Sequence, residues 1–174
     1  MELETFLKSR ITDMPDFPKP GILFRDITTL IADGPALKAT TDAFAAHFAG
    51  KGITKIVAPE ARGFIFGTAL GYAMGVGVVL VRKPGKLPRA TNAVSYELEY
   101  GTDTLHMHAD ALTPADRVLI IDDVLATGGT AEATVELVKL SGATVGGAAF
   151  VIELDFLAGR NRLAPVEVFS LVHY

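Results

Sequence analysis

The 174-residue chain contains no cysteine. That excludes a disulfide framework, a thiolate zinc site and a cysteine nucleophile together. A basic excess is missing too: 16 Lys and Arg stand against 20 Asp and Glu, for a net charge of −4. The chain therefore lacks the cationic surface that sequence-independent nucleic-acid binding needs. No apolar run approaches the roughly 18 residues of a membrane span. The opening Met-Glu-Leu-Glu-Thr-Phe is acidic where a signal peptide is basic, so the expected location is the cytoplasm. Two common nucleotide loops are also absent, G-x-x-x-x-G-K-[ST] and a G-x-G-x-x-G following a strand. What remains is a length that fits one domain, residues 1–174, and an apolar content of 49%, enough to fill its core.

The most informative stretch runs from Val118 to Thr130, Val-Leu-Ile-Ile-Asp-Asp-Val-Leu-Ala-Thr-Gly-Gly-Thr. Its first four residues read as a strand buried on both faces of a parallel sheet. The strand ends on two carboxylates, Asp122 and Asp123. Charge beside a buried strand is costly unless satisfied, and ligands of open α/β sheets bind at the carboxyl ends of the strands. Ala126, Thr127, Gly128, Gly129 and Thr130 then lead into a helical pattern from Ala131 to about Ser141, with Gly142 as its stop. Small residues at a helix start offer backbone N–H groups and the positive end of the helix dipole to an anion. A phosphate monoester suits that loop, and the acid pair suits the hydroxyls of the sugar that carries it.

Two other strands also end in charge. Lys55-Ile56-Val57-Ala58 runs into Pro59-Glu60-Ala61-Arg62-Gly63, and Gly77 to Val81 runs into Arg82-Lys83. If these strands lie parallel to the central one, their charges collect on one edge of one sheet. A guanidinium at Arg62 then suits a phosphate oxygen pair, with an ordinary surface arginine as the alternative. The helix between them is made of small residues and can lie close to the sheet. Near the N-terminus, Leu3, Phe6, Leu7 and Ile11 mark a short amphipathic helix over residues 2–12, and Asp16 to Gly21 breaks regular structure. Arg25 and Asp26 interrupt the next apolar segment, and an exposed local ion pair explains them equally well.

Gly34-Pro35 opens a helix with Leu37, Phe44 and Phe48 as its buried stripe, stopped by Gly50 and Gly52, and His47 beside that stripe is structural. Residues 84–101 read as a long irregular connection, the kind that serves as a lid. Thr104 to His108 alternates as an edge strand; His106 and His108 lack a third ligand, which argues against a metal site. Strands over 144–152 and 166–172 complete the sheet.

The 118–130 stretch resembles the phosphoribosyl-pyrophosphate (PRPP) signature of the type I phosphoribosyltransferases. Three further segments are similar to the adenine-specific members of that family: Phe17-Pro-Lys-Pro-Gly-Ile-Leu-Phe-Arg-Asp-Ile27, Pro59-Glu-Ala-Arg-Gly-Phe64, and the pair Arg82-Lys-Pro-Gly-Lys-Leu-Pro88 and Tyr96-Glu-Leu-Glu-Tyr-Gly101. The resemblance implies an α/β fold with a mostly parallel sheet flanked by helices and an N-terminal hood over residues 1–30. It implies transfer of the phosphoribosyl group of PRPP to adenine, Mg²⁺ carried in by PRPP near Asp122 and Asp123, and a homodimer. It assigns adenine to Leu23, Phe24, Arg25 and Leu154. Pyrophosphate falls to Arg62 with Arg82, Lys83 or Lys86, and catalysis to Glu99 beside Tyr100 in a mobile loop over 84–101. Pro84 between Lys83 and Lys86 departs from the pattern. Another nucleobase as acceptor, or a PRPP- or purine-sensing regulator on the same fold, are the alternatives; the regulators generally carry a DNA-binding segment, which this chain lacks.

Overall fold

The computed structural model describes residues 2–97 and 101–174. The chain opens with α1 (Leu3–Lys8), which is shorter than its apolar pattern because the backbone turns at Ser9 and Arg10 and Ile11 reaches the core from beyond the helix. β1 (Thr12–Pro15) then pairs antiparallel with β2 (Leu23–Asp26). The Pro-rich turn between them is closed by the Gly21 N–H, which donates to the Asp16 carboxylate at 2.8 Å. No apolar alternation announces β1, whose four residues are all exposed; its pairing, not its burial, makes it a strand. α2 (Thr28–Ala32) and α3 (Gly34–Phe48) follow, the latter capped by the Asp33 side chain on the Ala36 N–H.

The main sheet holds five parallel strands: β3 (Lys55–Pro59), β4 (Gly77–Val81), β7 (Arg117–Leu125), β8 (Thr144–Glu153) and β9 (Val168–His173), in the order β4-β3-β7-β8-β9. Strand residues alternate between two cores. Ile56, Ala58, Leu119 and Ile121 face α1 to α3 and α4 (Gly63–Met74), whereas Val57, Val118 and Ile120 face α5 (Gly129–Leu140). The small residues of α4 do bring it close. A Cβ at Gly67 would stand 2.8 Å from the Ala58 Cβ, and one at Gly71 would stand 2.4 Å from Val78 Cγ2. Helices thus cover both faces of the sheet, as expected for this fold class.

A second antiparallel hairpin, β5 (Thr91–Glu97) and β6 (Thr102–His108), hangs from the end of β4. Arg82 and His106 exchange backbone hydrogen bonds of 2.9 and 2.7 Å there. The stretch read as irregular over 84–101 therefore contains a seven-residue strand. Thr91 to Glu97 carries only Val94 and Tyr96 as large apolar-bodied residues, too few to mark a strand until β6 supplies the partner. Leu105 and Met107 of β6 are buried in the α5 side of the core. Among the described residues no helix is long and apolar enough to cross a membrane.

Candidate active site

In the main sheet the chain passes from β3 outward to β4, then returns to the other side of β3 to form β7. Strand order reverses between β3 and β7, and the loops beyond their carboxyl ends diverge there and leave a crevice. A cleft of about 650 Å³ opens at that point. Its walls are Ile22 to Arg25 of the hood, Glu60 to Arg62 after β3, Asp122 to Ala131 from the end of β7, which runs on through the acid pair to Leu125, into the loop and α5, Lys83, Tyr96, Asp103 and Leu105 from the hairpin side, and Phe150 and Leu154.

The acid pair occupies the floor. Asp123 is 5% exposed and its carboxylate pairs with the Arg62 guanidinium, while its own N–H donates to Asp122 Oδ1 at 2.8 Å. Asp122 lies against the start of α4, where a Cβ on Gly63 would come within 2.9 Å of Oδ1. Burial, reinforced by the neighbouring charge of Asp123, pushes the Asp122 carboxyl well above the usual carboxylate range. Burial also opposes the charge on Arg62, but the hydrogen bond to Asp123 and the charges of Asp123, Asp122 and Asp26 outweigh it and raise its pKa.

The loop from Ala126 to Thr130 enters α5 through Gly128, whose φ of +89° is left-handed. Space as well as dihedral demands glycine: a Cβ at Gly128 would sit 2.6 Å from the Gly159 carbonyl oxygen, and a Cβ at Gly159 would sit 2.3 Å from that of Ala126. The segment around Gly159 thus clamps the loop from behind and leaves its cleft side open. The N–H groups of the first turn of α5 have no acceptor inside the helix, so they and the helix dipole are available to an anion.

On the hairpin side, the Tyr96 hydroxyl lies 3.1 Å from Thr130 Oγ1 and 3.5 Å from Asp103 Oδ2. Lys83 Nζ donates to Asp103 at 2.6 Å, and the Lys83 N–H donates to Glu60 at 2.5 Å. Arg82, one residue earlier, turns the opposite way; its guanidinium lies 5.8 Å from the centre of the Phe64 ring and 3.4 Å from Glu60. Of the four basic candidates, Arg62 and Lys83 line the cleft, whereas Arg82 and the exposed Lys86 stand outside its wall.

The hood brings Leu23, Phe24 and Arg25 to the same cleft, with Leu154 also in its wall. Phe24 meets Phe17 edge-on at 5.1 Å. Arg25 pairs with Asp13 across β1–β2, and its guanidinium stacks 3.8 Å over the Tyr174 ring. This tethers the hood to the C-terminal strand. Glu99 and Tyr100 lie outside the described residues.

Sequence reading did not single out Tyr96, Asp103, Val124 or Phe150, all in the cleft wall. Phe150 and Val124 look like any buried strand residue, and Asp103 carries no local signal. Tyr96 and Val124 sat in stretches already marked for function, but neither was given a role there.

The fold and cleft define a phosphoribosyl transferase domain, and the family model of that description matches residues 29–170. The chain is 58% identical over 169 residues to the adenine phosphoribosyltransferase of Aeromonas salmonicida, a match covering 96% of this chain and 93% of that one. The solved adenine phosphoribosyltransferase of Thermoanaerobacter pseudethanolicus superimposes with a TM-score of 0.95 at 47% identity, covering 99% of this chain and 100% of that one. That of Saccharomyces cerevisiae, complexed with D-2,5-dideoxy-2,5-imino-altritol 1,6-bisphosphate and adenine, gives 0.93 at 40% identity, with coverage of 97% and 98%. The chain belongs to the adenine phosphoribosyltransferase family.

Proposed function

We propose that the protein transfers the 5-phosphoribosyl group of PRPP to N9 of adenine, releasing pyrophosphate and forming AMP. The observation that carries this reading is the meeting, in one cleft, of the acid pair Asp122–Asp123, the Thr127 to Thr130 loop at the start of α5, and the apolar hood residues Leu23 and Phe24. The loop takes the 5′-phosphate and the carboxylates accept from the ribose hydroxyls. The hood and Leu154 flank the base. Arg62 and Lys83, each now held by a carboxylate, are the cations nearest to hand for the diphosphate. Assignment of Lys86 to the same group requires the 84–101 segment to close over the cleft, which would also keep water from the ribosyl centre, and assignment of Arg82 requires its side chain to turn from Phe64 and Glu60.

The site suits Mg²⁺ brought in with PRPP. Its acid pair is an oxygen-only donor set of the kind hard cations take, and Asp123 would offer its carboxylate once Arg62 turns to the diphosphate. The ion would stabilise charge developing on the leaving diphosphate. Glu99, with Tyr100 beside it, is assigned as general base for the purine by family resemblance. Glu99→Leu is expected to lower kcat about 100-fold or more with little change in PRPP affinity; normal turnover would remove Glu99 from the mechanism.

The family resemblance also implies a homodimer. Ile65 and Tyr72 on α4 and Leu80 on the edge strand β4 are exposed, Tyr72 at 91%, and are the kind of apolar side chains a second copy would cover. Sedimentation at micromolar concentration decides between one copy and two. Steady-state assay with PRPP and a panel of nucleobases tests the activity: consumption of adenine with release of pyrophosphate supports it, and preference for another base or PRPP binding without turnover defeats it.

A further inference from the structure

A carboxylate in a cleft built for polyanions is an electrostatic oddity. Asp122 and Asp123 have sugar hydroxyls to receive, but Asp103 stands across the cleft on β6 with no such duty. Its carboxylate holds Lys83 Nζ at 2.6 Å and is approached by the Tyr96 hydroxyl at 3.5 Å, and that hydroxyl touches Thr130 Oγ1 of the phosphate loop at 3.1 Å. A row of contacts therefore crosses the cleft from the lysine to the helix start. The other Asp103 oxygen accepts from the Thr104 N–H at 2.8 Å, so the carboxylate is fixed by its own strand and cannot follow the lysine away. Lys83 is held at its backbone by Glu60, but its long side chain is 53% exposed and has room to swing once it parts from Asp103.

Resting on the activity proposed above, we infer that Asp103 is a positioning residue that competes with the diphosphate for Lys83, so that it weakens the grip on PRPP and on pyrophosphate and speeds release of the product. With the cleft empty, Asp103 keeps Lys83 folded against the hairpin. An arriving diphosphate must take the ammonium group from a carboxylate that stays behind, charged and facing the newcomer. When pyrophosphate leaves, the carboxylate is already in place to take the lysine back. Binding costs more and release costs less than with a lysine that has no internal partner. Arg62 and Asp123 do not stand in the same relation, because Asp123 gains the ribose hydroxyls when it loses the guanidinium.

Asp103→Asn tests this, since the amide keeps the shape and one acceptor oxygen while losing the charge. Magnesium pyrophosphate is titrated calorimetrically into the full-length wild type, Asp103→Asn, Lys83→Gln and the double variant, and PRPP KM and kcat are measured on all four. The expected result is about five- to tenfold tighter pyrophosphate binding in Asp103→Asn, with PRPP KM lowered to match and kcat reduced when product release limits turnover. In the Lys83→Gln background the gain is expected to shrink below twofold. Unchanged or weaker binding in Asp103→Asn overturns the inference. So does an equal gain with and without Lys83, which would make Asp103 a distant charge and not a competitor for the lysine. Asp103→Ser, with the same loss of charge and a smaller side chain, must tighten binding as well; if it does not, the effect belongs to the amide. Wild-type AMP formation from adenine and PRPP, measured alongside, separates failure of this inference from failure of the underlying activity.

Discussion

The two long walls of the cleft are built by different means. The wall formed by β7, its loop and α5 grows out of the main sheet: Val118 to Ile121 are buried, Asp123 is 5% exposed, and the glycine contacts between 128 and 159 leave the loop no room to shift. The facing wall, made of the β1–β2 hood and the β5–β6 hairpin, stands outside that sheet. Leu105 and Met107 anchor the back of the hairpin in the α5 side of the core, but toward the cleft ion pairs and single hydrogen bonds secure this wall: Arg25 to Asp13, Lys83 to Asp103, Tyr96 to Thr130. Close packing resists displacement, whereas partly exposed ion pairs contribute little and exchange partners readily. The rigid wall suits a part of the substrate that must not move, and the loosely held wall suits groups that enter, react and leave.

Substitutions that overfill the rigid wall should be the most damaging. Gly159→Val puts side-chain atoms onto the Ala126 carbonyl and the Gly128 N–H. A loss of about 100-fold or more in kcat/KM for PRPP, with a stability loss of about 2 kcal/mol or more, is expected from such overpacking. Near-normal activity would show that the loop is far softer than its contacts indicate.

Asp123→Asn probes the same wall without altering its shape. It removes the charge paired with Arg62 and proposed as acceptor for the ribose hydroxyls, so PRPP KM should rise by about tenfold. Unchanged PRPP affinity would contradict the sugar-binding assignment.

The facing wall should respond more mildly and more selectively. Arg25→Ala removes the ion pair to Asp13 within the hood and the hood's tie to the Tyr174 ring, and adenine KM should rise about three- to tenfold while PRPP KM stays close to wild type. An equal rise in both would mean that the hood supports the whole cleft and not the base alone.

The smallest effect expected is on stability. Asp122 has a folded-state pKa raised by burial and by Asp123. Between the unfolded value of 3.8 and that raised value, the folded state binds more protons than the unfolded chain, so stability falls as pH rises through this window. Above it the cost of the buried charge is fully present. Asp122→Asn should therefore raise Tm at pH 7 by a few degrees, about what 1 kcal/mol gives at this size, and the gain should vanish as the pH drops toward 4. A gain that persists undiminished at acid pH would rule out the carboxylate's ionisation as its source.

Much of the rigid wall was legible in the chain itself. A strand that is apolar on both faces, two acids, a small-residue loop and a helix form one contiguous stretch, Val118 to Leu140, and local propensity, burial and dipole all point the same way there. The loosely held wall was harder to read. β5 has too few apolar residues to declare itself, β1 has none buried, and Asp103 has nothing in its neighbourhood to suggest a partner twenty residues away. Arg82 and Lys83 are adjacent in sequence, yet one packs against Phe64 and the other faces the cleft.

By itself the sequence determined the α/β class, the strands of the main sheet, the phosphate-type loop and the family to which these belong, because each is written in a run of neighbouring residues whose periodicity or composition has one physical reading. Tertiary structure alone decided which charges meet: that Arg62 closes on Asp123, that Asp103 takes Lys83, and that Tyr96 bridges to Thr130. Pairing between distant side chains depends on strand order and on which face each residue turns, and those are settled only when the sheet assembles and its order reverses between β3 and β7.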